Sequence, residues 1–323
     1  MDRNLALNLA RVTEAAALGA SKHLGKGDKN LADGEAVSGM RKMFDTIDIN
    51  GVVVIGEGEM DEAPMLYIGE EVGLRKEDSL EVDIAVDPID GTTATSKGLP
   101  NAISILAVAP RGCLLHAPDM YMYKIAAGPK VKGLVDLDKP IQENLEILSK
   151  ALDKRLEDIT VAVLDRDRHK KIVEEIREAG ARIKLFGEGD VAIAIATCFE
   201  DSGVDMMLGS GGAPEGVITA AAIKCLGGEF QGRLVPQTQS EFDRCREMGI
   251  ENVEAKLNMD DLVKGNKVFF AATGISDGDI LKGVKYVSRD RAITHTMVTR
   301  SETGTVRFIE AVHKFDQKPH YAY

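Results

Sequence analysis

The stretch ITVAVLDRDRHKKIVEEIREAGARIKLF, residues 159–186, reads as a strand, a helix over 168–179 and a second strand. The same rhythm continues outward from it. A helix is expected at 141–153 before it. After it come a helix at 190–200, the strand VDMML, and Gly209-Ser210-Gly211-Gly212 opening a helix at 214–226. Strands that alternate with helices predict a parallel sheet covered on both faces, which places this half of the chain in the α/β class.

Toward the N-terminus the pattern is α+β. Residues 1–25 repeat apolar positions at helical spacing with Arg11 and Glu14 inside the pattern, which predicts an amphipathic helix and not an export signal. GKGDKN (25–30) is a turn, and Ala32-Asp33-Gly34-Glu35 leads into a second helix with Asp33 at its start and Val37, Met40, Phe44 and Ile47 on one face. GVVVIG (51–56), VDIAVD (82–87), AISILAVA (102–109) and DMYMYKIAA (119–127) read as strands. These patterns predict domains at 1–155 and 156–323. The strand-like tail segments KVFFAATGI, KYVSRD, AITHTMVTR and TVRFIEAVH are open to a return to the N-terminal sheet.

The 323 residues carry 40 basic and 52 acidic side chains, a net charge of −12, so the overall field repels nucleic acid and anionic membranes. A small anionic substrate then needs a local site where metal ions or clustered Arg and Lys reverse that sign. Cys113, Cys198, Cys225 and Cys245 are widely spaced, which suits reduced thiols in a cytoplasmic protein and gives no zinc motif. The longest apolar runs fall well short of the ~20 residues that span a bilayer.

Chemistry concentrates where strands end. Asp87-Pro88-Ile89-Asp90-Gly91-Thr92 follows the strand DIAV. Pro88 stiffens the turn and Gly91 lets the backbone approach a ligand. Glu57 follows VVVIG as Asp87 follows DIAV, so two adjacent strands would bring carboxylates to one sheet edge, and such oxygen donors suit Mg²⁺ or Mn²⁺. Asp33 and Glu215 stand at helix starts, where an acid is ordinarily a cap or a dipole partner. Gly211-Gly212-Ala213-Pro214-Glu215-Gly216 also makes an anion site from the free N–H groups of a helix start.

IGEGEMDEAPMLYIGEEVG, VDPIDGTT, APDMYMYKIAAGPKVKG and GSGGAPEGV together resemble the class II fructose-1,6-bisphosphatases, bacterial members of the lithium-sensitive, metal-dependent phosphatase superfamily. The resemblance spans nearly the whole chain. It implies a layered αβαβα fold with an N-terminal metal-binding domain and a C-terminal substrate-binding domain. It also implies hydrolysis of the 1-phosphate of fructose 1,6-bisphosphate, in gluconeogenesis, by a cytoplasmic homo-oligomer, dimer or tetramer. The metal ligands it implies are Asp33, Glu57, Asp87, Asp90 and Glu215, around two or more Mn²⁺ or Mg²⁺ ions. Relatives often have Glu in place of Asp90. Where the superfamily has Trp-Asp before a helix start, this chain has Pro214-Glu215-Gly216 and no Trp anywhere.

Five converging carboxylates would repel one another strongly without cations, which supports the metal assignment independently. Thr92 would hold the attacking water, with Glu57 or Asp33 taking up its proton. The resemblance adds Lys29 and Asp61 to the catalytic group and puts the Tyr121 hydroxyl on the substrate. Arg166, Asp167, Arg168 and His169 open a helix after ITVAVL and form a phosphate cradle. Glu188, Gly189 and Asp190 follow RIKLF in the same way and suit sugar hydroxyls, and Asp90, Gly91 and Gly212 complete the substrate contacts. Sedoheptulose 1,7-bisphosphate stays open as a second substrate.

Three rival readings fit less well. A haloacid-dehalogenase phosphatase needs Asp-x-Asp, whereas here the acids stand three apart. A dehydrogenase or P-loop enzyme needs GxGxxG or GxxxxGK[ST], and neither occurs. A silent sugar-phosphate sensor would have no use for the complete carboxylate set with Thr92.

Overall fold

The computed structural model describes residues 4–58 and 65–318. The chain begins with helices α1 (Leu5–Ser21) and α2 (Lys29–Phe44), then β1 (Ile49–Ile55), β2 (Glu71–Val72), β3 (Leu80–Asp90), α3 (Thr92–Lys97) and β4 (Ile103–Pro110). It continues through β5 (Tyr121–Ala127), α4 (Ile141–Leu152), β6 (Thr160–Leu164), α5 (Lys170–Glu178), β7 (Arg182–Phe186), α6 (Asp190–Ala196), β8 (Met206–Gly212), α7 (Ala213–Leu226) and β9 (Glu229–Leu234). The last elements are α8 (Gln239–Glu247), α9 (Met259–Leu262), β10 (Phe269–Gly274), β11 (Lys285–Ser288), β12 (Arg291–Arg300) and β13 (Thr305–Lys314). The α/β class expected from the patterning is what the structure shows.

Two compact units result, Met1–Leu114 with Asn266–Tyr323, and Leu115–Gly265. The division therefore does not fall at the expected residue 155. β5 leaves the N-terminal strands to pair with β8 and β9, and α4 packs in the same core, whereas the tail strands rejoin the first sheet through β10 against β4. The physical reason is that β4 has an open edge that the fully buried β10, FFAATG, fills in register from Phe269 opposite Val108 to Gly274 opposite Ile103.

The first unit is a sheet of order β11-β12-β10-β4-β3-β1-β2, with β13 on β12. β1 and β3 are its parallel pair, and β3 runs antiparallel to β4. Helix α1 is not the one-sided amphipathic helix expected: every residue from Val12 to Ser21 is buried, because α1 packs in one core with both α2 and the sheet. Helix α2 starts earlier than its sequence suggests. Asp28 caps it by accepting the Leu31 N–H at 3.0 Å, so Asp33 lies inside the helix and is not a cap. The expected apolar stripe of Val37, Met40, Phe44 and Ile47 is buried.

Burying the whole C-terminal part of α1 carries one acid inside. Desolvation pushes Glu14 up to about 7, against the pull of Lys318 and Arg11 and a hydrogen bond from Thr296. Between its ordinary 4.5 and about 7 the unfolded chain ionises this group and the folded chain does not, so its contribution to stability falls as pH rises through that window. Above it the full cost is about 3 kcal/mol. Glu14→Gln is therefore expected to raise the melting temperature at about pH 8 and to change it far less at about pH 5. An equal shift at both values would show that burial of this charge is not the cause.

The second unit is a sheet of order β7-β6-β8-β5-β9. It is not wholly parallel as expected: β6 runs parallel to β7 and β8, but β5 is antiparallel to both β8 and β9. Its two-sided cover is as expected. Ile125, Val161, Val163, Met206 and Leu208 meet Leu145 and Leu148 of α4 and Ile176 of α5, while α7 presses on Met122 and Lys124 of the opposite face. The segment Gly209-Ser210-Gly211-Gly212 is the end of β8 itself, not a loop before α7. All four cysteines are free thiols. Among the described residues no helix is long and apolar enough to cross a membrane.

Candidate active site

In the first unit the acids gather at the carboxyl ends of two neighbouring parallel strands. Ile55 pairs with Ala85, and Glu57 and Asp87 each lie two residues beyond that pair, side by side where β1 ends and β3 runs on against β4. β3 continues through the motif to Asp90, with a register irregularity between Asp87 and Asp90 where Pro88 has no N–H to offer β4. Asp87 Oδ1 accepts the Ile89 N–H at 2.9 Å, which fixes the turn. Gly91 then adopts a left-handed φ of 98° as the cap of α3, and a Cβ there would lie 3.4 Å from the Ala102 backbone.

Thr92 opens α3 half-buried, and its hydroxyl donates to the Ile89 carbonyl at 3.3 Å. With the proton directed there, Oγ1 is left as an acceptor. Lys29, the first residue of α2, reaches across to donate to Thr93 Oγ1. Burial raises the Asp33 carboxyl above its ordinary range, and burial with the nearby Asp33 charge pushes Glu57 up to about 8. These two acids thus repel each other at the edge where Asp87 emerges.

In the second unit the loops after β6 and β7 and the end of β8 share one sheet edge, because those strands run parallel. A small, half-open pocket of about 10 Å³ lies there, bordered by Leu164, Phe186, Asp190, Ser210 and Lys124. Arg166 donates to the Asp165 and Gly187 carbonyls, both at 2.8 Å, and so ties the two loops together. Arg168 donates to the Ser210 carbonyl at 2.8 Å, and its guanidinium sits 4.7 Å from the centre of the Tyr121 ring. Tyr121 stands opposite Gly212 in the β5–β8 ladder, so ring, guanidinium and the start of α7 are neighbours.

Not every residue of the expected cradle faces a ligand. His169 is buried. Its Nδ1 lies 2.7 Å from the Leu164 carbonyl while Nε2 accepts the Ser210 N–H at 2.8 Å, so Nδ1 carries the proton and the ring is neutral. Desolvation lowers its pKa, in keeping with that role. Asp167 turns to solvent and pairs with Lys170 at 2.9 Å. Asp190 pairs with Lys124, Glu188 and Gly189 lead into it, and Glu215, in the first turn of α7, keeps a buried Oε2 with no hydrogen-bond partner among the described residues.

Residues 3–313 match the family described as bacterial fructose-1,6-bisphosphatase, glpX-encoded. The chain belongs to this family. Among similar proteins, the fructose-1,6-bisphosphatase 1 class 2 of Escherichia coli (strain K12) is 46% identical, over 98% of this chain and 97% of its own. The D-fructose 1,6-bisphosphatase class 2/sedoheptulose 1,7-bisphosphatase of Synechococcus sp. (strain JA-3-3Ab) is 44% identical, over 99% of this chain and 98% of its own. Class II fructose-1,6-bisphosphatases are metal-dependent phosphatases, and the donors present here fit a divalent cation. In the first unit they are all oxygen and include the mutually repelling Asp33 and Glu57. Among the described residues, however, no three such groups stand together tightly enough to hold an ion as placed.

For a class II fructose-1,6-bisphosphatase, then, the structure places Asp33, Glu57, Asp87, Asp90, Thr92 and Lys29 in the first unit. It places Tyr121, Arg166, Arg168, Asp190, Gly212 and Glu215 in the second. Asp61 lies outside the described residues. Two contributors are missed by the sequence reading, Thr93 and the ion-pairing role of Lys124. A signal for Lys124 is present: it alternates with Met122 and Ala126 on a buried strand face, where a lysine needs a partner.

Proposed function

We propose that this chain hydrolyses the 1-phosphate of D-fructose 1,6-bisphosphate to fructose 6-phosphate and phosphate, a gluconeogenic step in the cytoplasm, as a homo-oligomer. The observation that carries this reading is the parallel pairing of β1 with β3, which delivers Glu57 and Asp87 to one sheet edge beside Asp90 and Thr92. Asp33, Glu57, Asp87, Asp90 and Glu215 would hold two or more Mn²⁺ or Mg²⁺ ions. Such ions acidify the attacking water and neutralise the phosphoryl charge.

The chain's own residues supply the remainder. Thr92 Oγ1 accepts a hydrogen bond from the water and holds it in line with the scissile O–P bond. Glu57 or Asp33 takes up the water's proton. Lys29, held by Thr93, offers its ammonium to the phosphoryl oxygens, and Asp61 joins this group on the family resemblance. Arg166 and Arg168 clamp the 6-phosphate, with Asp167 and His169 supporting the segment that carries them. Tyr121, Glu188, Gly189 and Asp190 meet the sugar, and the backbone at Gly91 and Gly212 approaches the phosphates. Sedoheptulose 1,7-bisphosphate is a second proposed substrate, because the name of the Synechococcus relative couples both sugars.

Phosphate release from fructose 1,6-bisphosphate, sedoheptulose 1,7-bisphosphate, fructose 1-phosphate and inositol 1-phosphate, with Mn²⁺ or Mg²⁺, tests the reading. No release from fructose 1,6-bisphosphate with either metal would overturn it. In the same assay Arg168→Ala is expected to lower kcat/KM for the bisphosphate by about ten- to a hundredfold, since a charged hydrogen bond to phosphate contributes roughly 1.5–3 kcal/mol. Turnover of fructose 1-phosphate, which never used that contact, should hardly change. An unchanged ratio of the two substrates in both Arg166→Ala and Arg168→Ala would mean that the second phosphate is held elsewhere.

A further inference from the structure

Lys124 has no place in the chemistry above, yet it is one of the largest fully buried side chains of the protein. It lies in the strand β5, opposite Gly209 of β8 and Gly232 of β9, and its Nζ donates to Asp190 Oδ2 at 2.6 Å. Its side chain is 1% exposed and that of Asp190 15%, so the pair is formed largely out of water. An ammonium in that position is costly unless a carboxylate meets it, and removing one partner leaves the other charge uncompensated.

The pair is also confined sterically. A Cβ on Gly211 would lie 2.4 Å from Asp190 Oδ2 and 3.1 Å from Lys124 Nζ, so both groups rest directly on the backbone of β8, where only glycine leaves room. Asp190 is the first residue of α6 and borders the pocket at the strand ends. With Oδ2 committed to Lys124, the oxygen left to meet a ligand is Oδ1.

We infer that Lys124 is a positioning residue for substrate binding: it clamps Asp190 against Gly211 and so aims the second carboxylate oxygen at a hydroxyl of the sugar. This rests on the proposed bisphosphatase activity, which wild-type turnover in the same assay tests separately. Lys124 meets Asp190 by a hydrogen bond and Glu215 only through its charge, so its removal is expected to move substrate affinity more than the cleavage step.

A double-mutant cycle over Lys124→Met and Asp190→Asn, read as KM and kcat for fructose 1,6-bisphosphate with Mn²⁺, decides the matter. Lys124→Met is expected to raise KM about tenfold or more, with kcat within about threefold of wild type, as suits loss of a charged hydrogen-bond network in binding. In the Asp190→Asn background the same change should add nothing further to KM. If Lys124→Met fails to fold, the double variant, which buries a neutral pair, still allows the comparison with Asp190→Asn alone. A KM that is unchanged in folded Lys124→Met, a loss confined to kcat, or a double variant with KM well above that of Asp190→Asn would each overturn the inference.

Discussion

Asp87→Asn and Glu57→Gln are each expected to abolish phosphate release while leaving the protein folded. Both side chains stand at the rim of the first sheet, beyond the paired residues Ile55 and Ala85, and contribute little to the apolar core. In Asp87→Asn the new amide keeps an oxygen to accept the Ile89 N–H that Asp87 accepts now at 2.9 Å, so the turn survives. In Glu57→Gln the new side chain is neutral, which is the state that burial and Asp33 already favour for Glu57, so the metal-free protein loses nothing by the exchange. What each variant loses is a negative oxygen donor for a divalent cation.

Two measurements follow. At saturating Mn²⁺, retention of more than about a tenth of wild-type kcat in both variants would count decisively against the assignment. Independently of turnover, ligand binding to the folded state stabilises it by about 2.7 kcal/mol at a hundredfold excess over Kd, so Mn²⁺ should raise the melting temperature of the wild type and raise it much less in either variant. Chelation should reverse the wild-type shift.

Thr92 gives the second large effect. Its hydroxyl proton points to the Ile89 carbonyl, so Oγ1 is an acceptor held at the start of α3, at the end of the strand that carries both aspartates of the motif. Losing one such contact, realised mainly in the transition state, typically costs roughly 10²–10³ in kcat. Thr92→Ala is therefore expected to lose about that much, with KM nearly unchanged, while Thr92→Ser, which keeps the hydroxyl, retains most of the activity. Equal losses in Ser and Ala variants would assign the effect to packing of the methyl group.

Much of the candidate site is legible without the fold, because its signals are local. VDIAV is apolar enough to be buried, and a buried strand that runs into Asp87, Asp90 and Thr92 must release those groups where it reaches the surface. The matching of VVVIG and Glu57 to DIAV and Asp87 points to adjacent strands, and the two do pair. Local signals also mislead. Asp33 resembles a cap because it precedes an apolar stripe, yet Asp28, one turn earlier, takes that position. His169 reads as part of a phosphate cradle with Arg166 and Arg168, although both its ring nitrogens are used by backbone atoms of β6 and β8.

By itself the sequence determined the α/β class, the burial of the central strands and the emergence of Glu57, Asp87 and Asp90 at strand ends. Side-chain periodicity records which groups leave water, and that is a local property. Only the tertiary structure decided that β10 to β13 return to β4, that β5 crosses into the second sheet antiparallel to its neighbours, and that Lys124 spends its charge on Asp190. Those outcomes depend on which open edge or buried charge finds a partner across a long stretch of chain, 66 residues in the case of Lys124 and Asp190, and no local pattern encodes that choice.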